Sequence, residues 1–429
     1  MITVIRDAWI VTQNADRDVI RGDLAFDGES ILQVGGEYNG TGDVEIPAAG
    51  DIVMPGLINT HTHVAMSTMK GVVDDLPFGE FLDKVFRIDS DRTDRDLDIG
   101  TRIGCMEMML GGTTTFVDMY YSEDVIAEAV GQCGLRGVLC WCVLDQEHTT
   151  QSGNPMDNCR RFHDKYAGRR KIIPGVGLQG VYVCNEETCT RAAEFSREAE
   201  APLTLHMSET RGEVNEHKRK TGRRPAEWLA DLGVLGPNTV AAHSAWVTMN
   251  EVRLMGEAGM SVSTCPVSNM KLATGGVAPV PEYMAEGVNV SIGTDGSTTN
   301  NSLDMLSEMK TLGLLQKSSR WDPTVASAQD LLDFATVNGA KAIGMQDLLG
   351  SLEVGKYADL VILDGKAPNL RPALEENLVA NIVYSSSPAN VKTVVCQGDM
   401  LVADGEIVGM RTEGLLEASE GIWRELCRR

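Results

Sequence analysis

The chain has 429 residues, with 38 Lys plus Arg against 61 Asp plus Glu and a formal charge of −23. That length suits one barrel-sized catalytic unit with a smaller attachment, and the acidic balance argues against nucleic acid and anionic membrane as partners. The ten Cys and 20 Met are scattered without CxxC pairs, no run is long and apolar enough to span a bilayer, and the N-terminus lacks a signal-peptide layout. Reduced thiols in a soluble, cytoplasmic protein are therefore expected.

The first fifty residues alternate short β-rich pieces, 2–5, 9–12, 23–26 and 31–34, with turns at Gly35-Gly36 and Asn39-Gly40, and predict a small sheet. From Met54 the texture changes to strands separated by helical stretches, which marks a parallel α/β sheet or barrel. Eight candidate strands end near His63, Asp118, Asp145, Gln179, His206, His243, Asn269 and Asp295, each apolar or β-branched before a polar end. Polar residues gathered at so many strand ends favour the ring of a (β/α)8 TIM barrel over the crevice of a doubly wound sheet. The connection from Val64 to Gly112 is long enough to form a lid or substrate wall. After Gly344 hairpin material returns, and 413–429 reads as helical. The predicted class is thus α/β. A catalytic barrel spans 54–344, and residues 1–53 and 345–429 complete a small β-sandwich built from both chain termini, with a terminal helix.

Within Met54-Pro-Gly-Leu-Ile-Asn-Thr-His-Thr-His63, the two histidines stand two residues apart at a strand end. Residues i and i+2 of a strand point to the same side, so both imidazoles can converge on one point. His206 and His243 each follow a short apolar strand, and Asp295, in Gly293-Thr-Asp-Gly-Ser, ends the eighth strand beside the first. Three or four imidazoles plus a carboxylate, with a place left for water, make a catalytic metal set; a structural site would use cysteines. His148, His163 and His217 sit among polar residues and read as surface. Glu209, three residues past His206, could shuttle a proton between water and a leaving group, or be a solvated loop glutamate.

Several of these runs resemble the amidohydrolase superfamily: Pro-Gly-Leu-Ile-Asn-Thr-His-Thr-His63, His206-Met-Ser-Glu209, Ala-Ala-His243, Pro266-Val-Ser-Asn-Met-Lys-Leu272, Gly293-Thr-Asp-Gly-Ser-Thr-Thr-Asn-Asn301 and Gly355-Lys-Tyr-Ala-Asp-Leu-Val. More narrowly they are similar to its S-adenosylhomocysteine, methylthioadenosine and 5'-deoxyadenosine deaminases, with triazine hydrolases and guanine deaminases as relatives. The resemblance implies that His61, His63, His206 and Asp295 hold one divalent metal, usually zinc and sometimes iron. It implies that Glu209 is the proton shuttle, and that His243 hydrogen-bonds the attacking water and the reacting centre. Relatives with two metals bridge them with a carboxylated lysine at the end of strand four. Gln179 stands there and Lys171 lies at the opposite end of that strand, so one metal is expected.

For the substrate, the resemblance matches Glu107 to a glutamate that binds ribose hydroxyls and Asp74-Asp75-Leu-Pro-Phe to a lid segment. It places Gln179 where relatives carry a substrate-contacting histidine. Trp141 stands where homocysteine-tailed deaminases hold a carboxylate with arginine, so weak use of S-adenosylhomocysteine and better use of neutral 5'-substituted adenosines are expected. Trp141 as a barrel-core residue is the alternative. The expected activity is deamination of an adenosine-type nucleoside to its inosine analogue. The competing reading is a hydrolase of a free purine, pterin or triazine ring, and a non-catalytic scaffold fits poorly because every metal ligand is present. The branch also implies a homo-oligomer, dimer or tetramer.

Overall fold

The computed structural model describes residues 1–428. Its strands fall into two sheets of nine. The first is made by both ends of the chain. Ile2–Val11, Val19–Asp27, Ser30–Val34, Val44–Pro47 and Ile52–Pro55 come from the N-terminal part, and Leu360–Leu363, Val391–Cys396, Asp399–Ala403 and Glu406–Ile407 from the C-terminal part. The two groups meet where Ile52–Pro55 runs antiparallel to Leu360–Leu363, with Val53 opposite Ile362. The pieces expected at 2–5 and 9–12 form one strand, because its register shifts between Ile5 and Ala8 and Asp7 takes a left-handed φ of 55°, a bulge that bends a strand without ending it.

The second sheet is parallel from Leu57–His63 through Thr113–Tyr120, Arg136–Val143, Ile172–Leu178, Leu203–Met207, Thr239–His243 and Ser261–Thr264 to Asn289–Ile292. Just beyond its last strand, Asp295–Gly296 pairs in parallel with Thr62 and His63 of the first. The sheet thus curls round on itself, in the manner of a TIM-like barrel, and brings Asp295 back to the two leading histidines. Gly293 permits this approach: a Cβ there would lie 2.6 Å from the Cβ of His61. Beneath the mouth the interior is polar and paired. Asn59 Nδ2 donates to Thr294 Oγ1 at 2.8 Å, and Thr60 Oγ1 lies 2.6 Å from Ser263 Oγ.

Only Gly56 separates the terminal strand Ile52–Pro55 from the parallel strand Leu57–His63, so the expected boundary at residue 53 falls inside a strand of the terminal sheet. At the far end of the parallel strands, Arg136 is 1% exposed and donates to both carboxylate oxygens of Asp359, at 2.6 and 3.1 Å. Asp359 directly precedes Leu360–Leu363, so this buried pair joins the two sheets. The seventh strand stops at Thr264, and Asn269, expected at its end, lies in the helix Pro266–Lys271; Pro266 lacks an N–H for a ladder and suits the first position of a helix. The expected C-terminal helix is Leu415–Leu426. Among the described residues no helix is long and apolar enough to cross a membrane.

Candidate active site

The last turn of the parallel strand Leu57–His63 delivers His61 and His63 to one side of the barrel mouth, with ring centroids 4.9 Å apart. His206 comes from the fifth strand and its Nε2 lies 3.3 Å from Nε2 of His63. Asp295 Oδ1 lies 3.3 Å from His63 Nε2 and 3.6 Å from His61 Nε2, and its Oδ2 lies 3.9 Å from His243 Nε2. Five residues from four strand ends therefore face one point. Two overlapping sets, His61 with His63 and His206, and His61 with His243 and Asp295, each hold their donor atoms within 4.8 Å of one another.

The outer nitrogens are already committed. His63 Nδ1 lies 2.7 Å from the carbonyl oxygen of Met119 and His206 Nδ1 lies 2.8 Å from that of Gln179. A backbone carbonyl can only accept, so each Nδ1 carries a proton and each Nε2 is turned to the centre, where its lone pair would meet a bound cation. Asp295 Oδ2 accepts from Ser268 Oγ at 2.6 Å and Oδ1 from the Gly296 N–H at 2.7 Å. His61 is fully buried and neither of its ring nitrogens has a hydrogen-bond partner. An unsatisfied imidazole in the core is costly, and a cation at the shared point would satisfy it.

The electrostatics fit that occupant. Burial pushes the His61 imidazolium down to about 4, and burial together with the neighbouring histidines holds His206 well below its usual range. For Asp295 burial acts upward, but the contacts with His61 and His63 outweigh it and keep the carboxyl well below the carboxylate range. For His63 burial acts downward and Asp295 outweighs it, leaving the imidazolium raised to about 9. The cluster thus offers neutral imidazoles at His61 and His206 beside an ionised carboxylate, protonation states a metal requires, and Asp295 holds a positive charge on His63 at the place a bound cation would take.

His63, His206, His243 and Asp295 floor a cavity of about 340 Å³, with His61 buried behind them. Glu209 reaches into it with Oε2 at 3.9 Å from His243 Nε2, and burial pushes its carboxyl up to about 7. His243 adopts φ 64° and is turned by Asn269, whose Oδ1 lies 2.9 Å from Nδ1.

The side chain of Gln179 also lines the cavity, with Nε2 donating to the Tyr182 hydroxyl at 3.0 Å. The structure places two other expected substrate contacts away from the cavity lining. Glu107 lies outside the cavity lining and pairs with Lys70 and with the Leu303 N–H at 3.0 Å; its helix, Asp94–Leu110, turns that face to the loop after the eighth strand. Trp141 points outward from the third strand, packing on Phe162 and donating to Gln151 Oε1 at 2.8 Å, because strand alternation puts Cys142 on the cavity side. Trp141 is buried within the main hydrophobic cluster. Sequence reasoning missed the carboxyl of Asp89, which lines the cavity and accepts from the Tyr120 hydroxyl and from Arg92 Nη1 at 3.2 Å. It also missed Tyr121, Tyr182 and the loop His148–Gln151.

Polar donors collected at the mouth of a curled parallel sheet, beside a carboxyl that can hold or release a proton at neutral pH, define a metal-dependent hydrolase. Comparison with known proteins narrows the class. The model of the amidohydrolase family matches residues 52–401, and the chain belongs to that family, as a hydrolase acting on carbon–nitrogen bonds. It is 38% identical over 410 residues, 95% of each chain, to a protein of Methanothermobacter thermautotrophicus named 5'-deoxyadenosine deaminase. It is 39% identical over 376 residues, 86% of each chain, to a 5-methylthioadenosine/S-adenosylhomocysteine deaminase of Moorella thermoacetica. Among solved structures, an adenosine deaminase from Xanthomonas campestris with bound zinc superposes with a TM-score of 0.94 at 29% identity, covering 99% of this chain and 98% of that one. A triazine hydrolase shares the fold at 20% identity, with a TM-score of 0.90 over 98% of this chain and 99% of that one.

Proposed function

We propose that the protein removes the 6-amino group of an adenosine-type nucleoside with a neutral 5' position, such as 5'-deoxyadenosine, methylthioadenosine or adenosine, giving the inosine analogue and ammonia. The observation that carries this reading is the buried Glu209 carboxyl, near its midpoint at neutral pH, facing His243 across the floor of a cavity whose other wall is the ligand set. The names of the relatives support the substrate class. In this reading His61, His63, His206 and Asp295 hold one divalent ion, zinc by preference and iron as the alternative, which when bound supplies an activated water and a local positive charge.

The rest follows from the chain's own groups. Glu209, when protonated, donates to a ring nitrogen and makes the adjacent amino-bearing carbon more electrophilic; as the carboxylate it then takes a proton from the attacking water's oxygen and delivers it to the departing amine, which leaves as ammonia. His243, fixed by Asn269, orients the attacking water and the forming oxygen. The helix Phe78–Ser90 and the loop His148–Gln151 extend the cavity beyond the room a base alone needs, which favours a nucleoside over a free ring. Among the described lining residues there is no Lys or Arg, while Asp89, Glu209 and Asp295 are acidic. A carboxylate or phosphate tail would meet no fixed cation there, so S-adenosylhomocysteine is the weaker substrate, on grounds independent of Trp141.

Two structural expectations belong to the same reading. The terminal sheet folds as a sandwich around its own cluster of Ile5, Ile10, Leu24, Phe26, Leu360 and Val395, with the barrel beginning after Gly56. The chain works in the cytoplasm as a homo-oligomer, a use for the exposed Leu314 and Trp321 on and beside one helix, at 52% and 93% exposure. A coupled ammonia-release screen over adenosine, 5'-deoxyadenosine, methylthioadenosine, S-adenosylhomocysteine, guanine, a pterin and a triazine tests the function. Turnover of the free rings without any nucleoside would transfer the reading to a free-base hydrolase, which Gln179, in place of a substrate-contacting histidine, favours.

A further inference from the structure

The cavity wall formed by the helix Phe78–Ser90 is not part of the barrel. Its apolar face, Phe81, Val85 and Ile88, packs with Met69, Val72 and Val73 and with Ile422 of the C-terminal helix, in a cluster separate from the main core. The same helix also lines the cavity, through Phe78, Phe81, Leu82, Val85 and Phe86. Leu272, on the connection after the seventh strand, packs against the same cluster, so apolar contact already reaches the far rim, and a second fastening joins it there.

That fastening is polar and sits just before the helix. Asp74 Oδ1 accepts from Lys271 Nζ at 2.7 Å, and Asp74 Oδ2 accepts from Asn301 Nδ2 at 2.9 Å. Lys271 Nζ also donates to Asn301 Oδ1 at 2.6 Å and to the Thr298 carbonyl at 2.9 Å. The ammonium thereby places its three protons on three acceptors, and the three side chains close a ring. They come from three different connections, those after the first, seventh and eighth strands. On two of these the residues alongside, Leu272, Thr298 and Thr299, line the cavity. The Asp74 and Lys271 side chains keep 31% and 26% exposure, so water and salt reach the ring and it can open.

We propose that Asp74, Lys271 and Asn301 form a latch that fastens the Phe78–Ser90 wall across the cavity mouth, and that they are positioning residues which set substrate affinity without touching the reacting atoms. Glu107 complements them. Its contacts with Lys70 and the Leu303 N–H fix the root of the same connection to the loop that carries Asn301, so the wall swings from a fixed base. The kinetic half of this inference rests on the proposed deamination; the mechanical half does not.

The test is Lys271→Met in the full chain, read by amide hydrogen exchange and by steady-state kinetics. Exchange across residues 70–90 should quicken roughly fivefold, the scale of a well-formed, partly exposed ion pair, while exchange in the parallel strands and Tm stay at wild-type values. KM should rise by a similar factor with kcat within about twofold, which a general structural lesion would not give. Asp74→Asn should do the same, and the double variant should be no worse than either single, because both act on one latch. Added salt should loosen 70–90 in the wild type but not in the variants. Unchanged exchange at 70–90, acceleration spread over the whole barrel, or additive effects would overturn the latch. If no nucleoside is turned over, the exchange data still decide the latch, and only the proposed substrate fails.

Discussion

Gln179 holds His206 through its backbone: the carbonyl oxygen lies 2.8 Å from His206 Nδ1, while the side-chain amide turns away to the Tyr182 hydroxyl. The residue thus fixes an imidazole whose other nitrogen faces the ligand centre, yet its own side chain offers no bridge to a second ion. Lys171, the one lysine of that strand's neighbourhood, spends its ammonium at the other end on Gly134 O and Asp399, at 2.8 and 2.9 Å.

Metal analysis of the purified protein should therefore give close to one divalent ion per chain. A chelator should abolish turnover and lower Tm, since a ligand bound only by the native state stabilises it. A reproducible content near two ions would contradict the single-site geometry.

Glu209→Gln keeps the size and polarity of the side chain but cannot cycle a proton. Turnover should drop by about 10²–10⁴ with metal content unchanged. Near wild-type ammonia release would remove Glu209 from the proton path.

The same carboxyl makes the metal-free protein sensitive to pH. Its folded value is raised by burial to about 7 from 4.5, so between these values the folded chain binds a proton that the unfolded chain has lost. Its contribution is complete below the unfolded value and is lost as pH rises through the folded one, a change on the order of 3 kcal/mol. His61 and His206 titrate with the opposite sign and are common to both proteins, so as pH rises from 5 to 8 the chelated wild type should lose Tm relative to chelated Glu209→Gln. Parallel curves would refute the raised carboxyl.

Asp359→Ala leaves the Arg136 guanidinium buried without its carboxylate, and breaking such a pair costs about 3–5 kcal/mol. Urea denaturation should register that loss, while Arg136→Met combined with Asp359→Leu should recover most of it. Folded protein of either variant should still bind metal, because the pair lies at the end of the barrel away from the histidines.

The legible parts of the molecule were those that depend on strand period. His61 and His63 share a side because residues two apart must, and His206, His243 and Asp295 follow apolar runs short enough to be read as strands. Direction relative to a neighbour was not legible. Trp141 and Cys142 are adjacent, and only the packing of Phe162 decides that the indole faces out. Asp89 sits in Asp89-Ser-Asp-Arg92, which reads as a solvated helix end; its place in the cavity depends on Tyr120 and Arg92 folding onto it. Asn269 reads from the sequence as a strand end, whereas its contact with His243 needs the helical turn that Pro266 begins.

The pairing of Ile52–Pro55 with Leu360–Leu363 has a consequence for how the protein is made. The strand that ends in both leading histidines begins one residue after a strand whose antiparallel partner lies near the far end of the chain. A growing polypeptide therefore presents His61 and His63 early, but their backing is assembled only after the eight parallel strands have been synthesised. All five residues of the histidine–aspartate cluster are in this way synthesised before the strand that completes the terminal sheet.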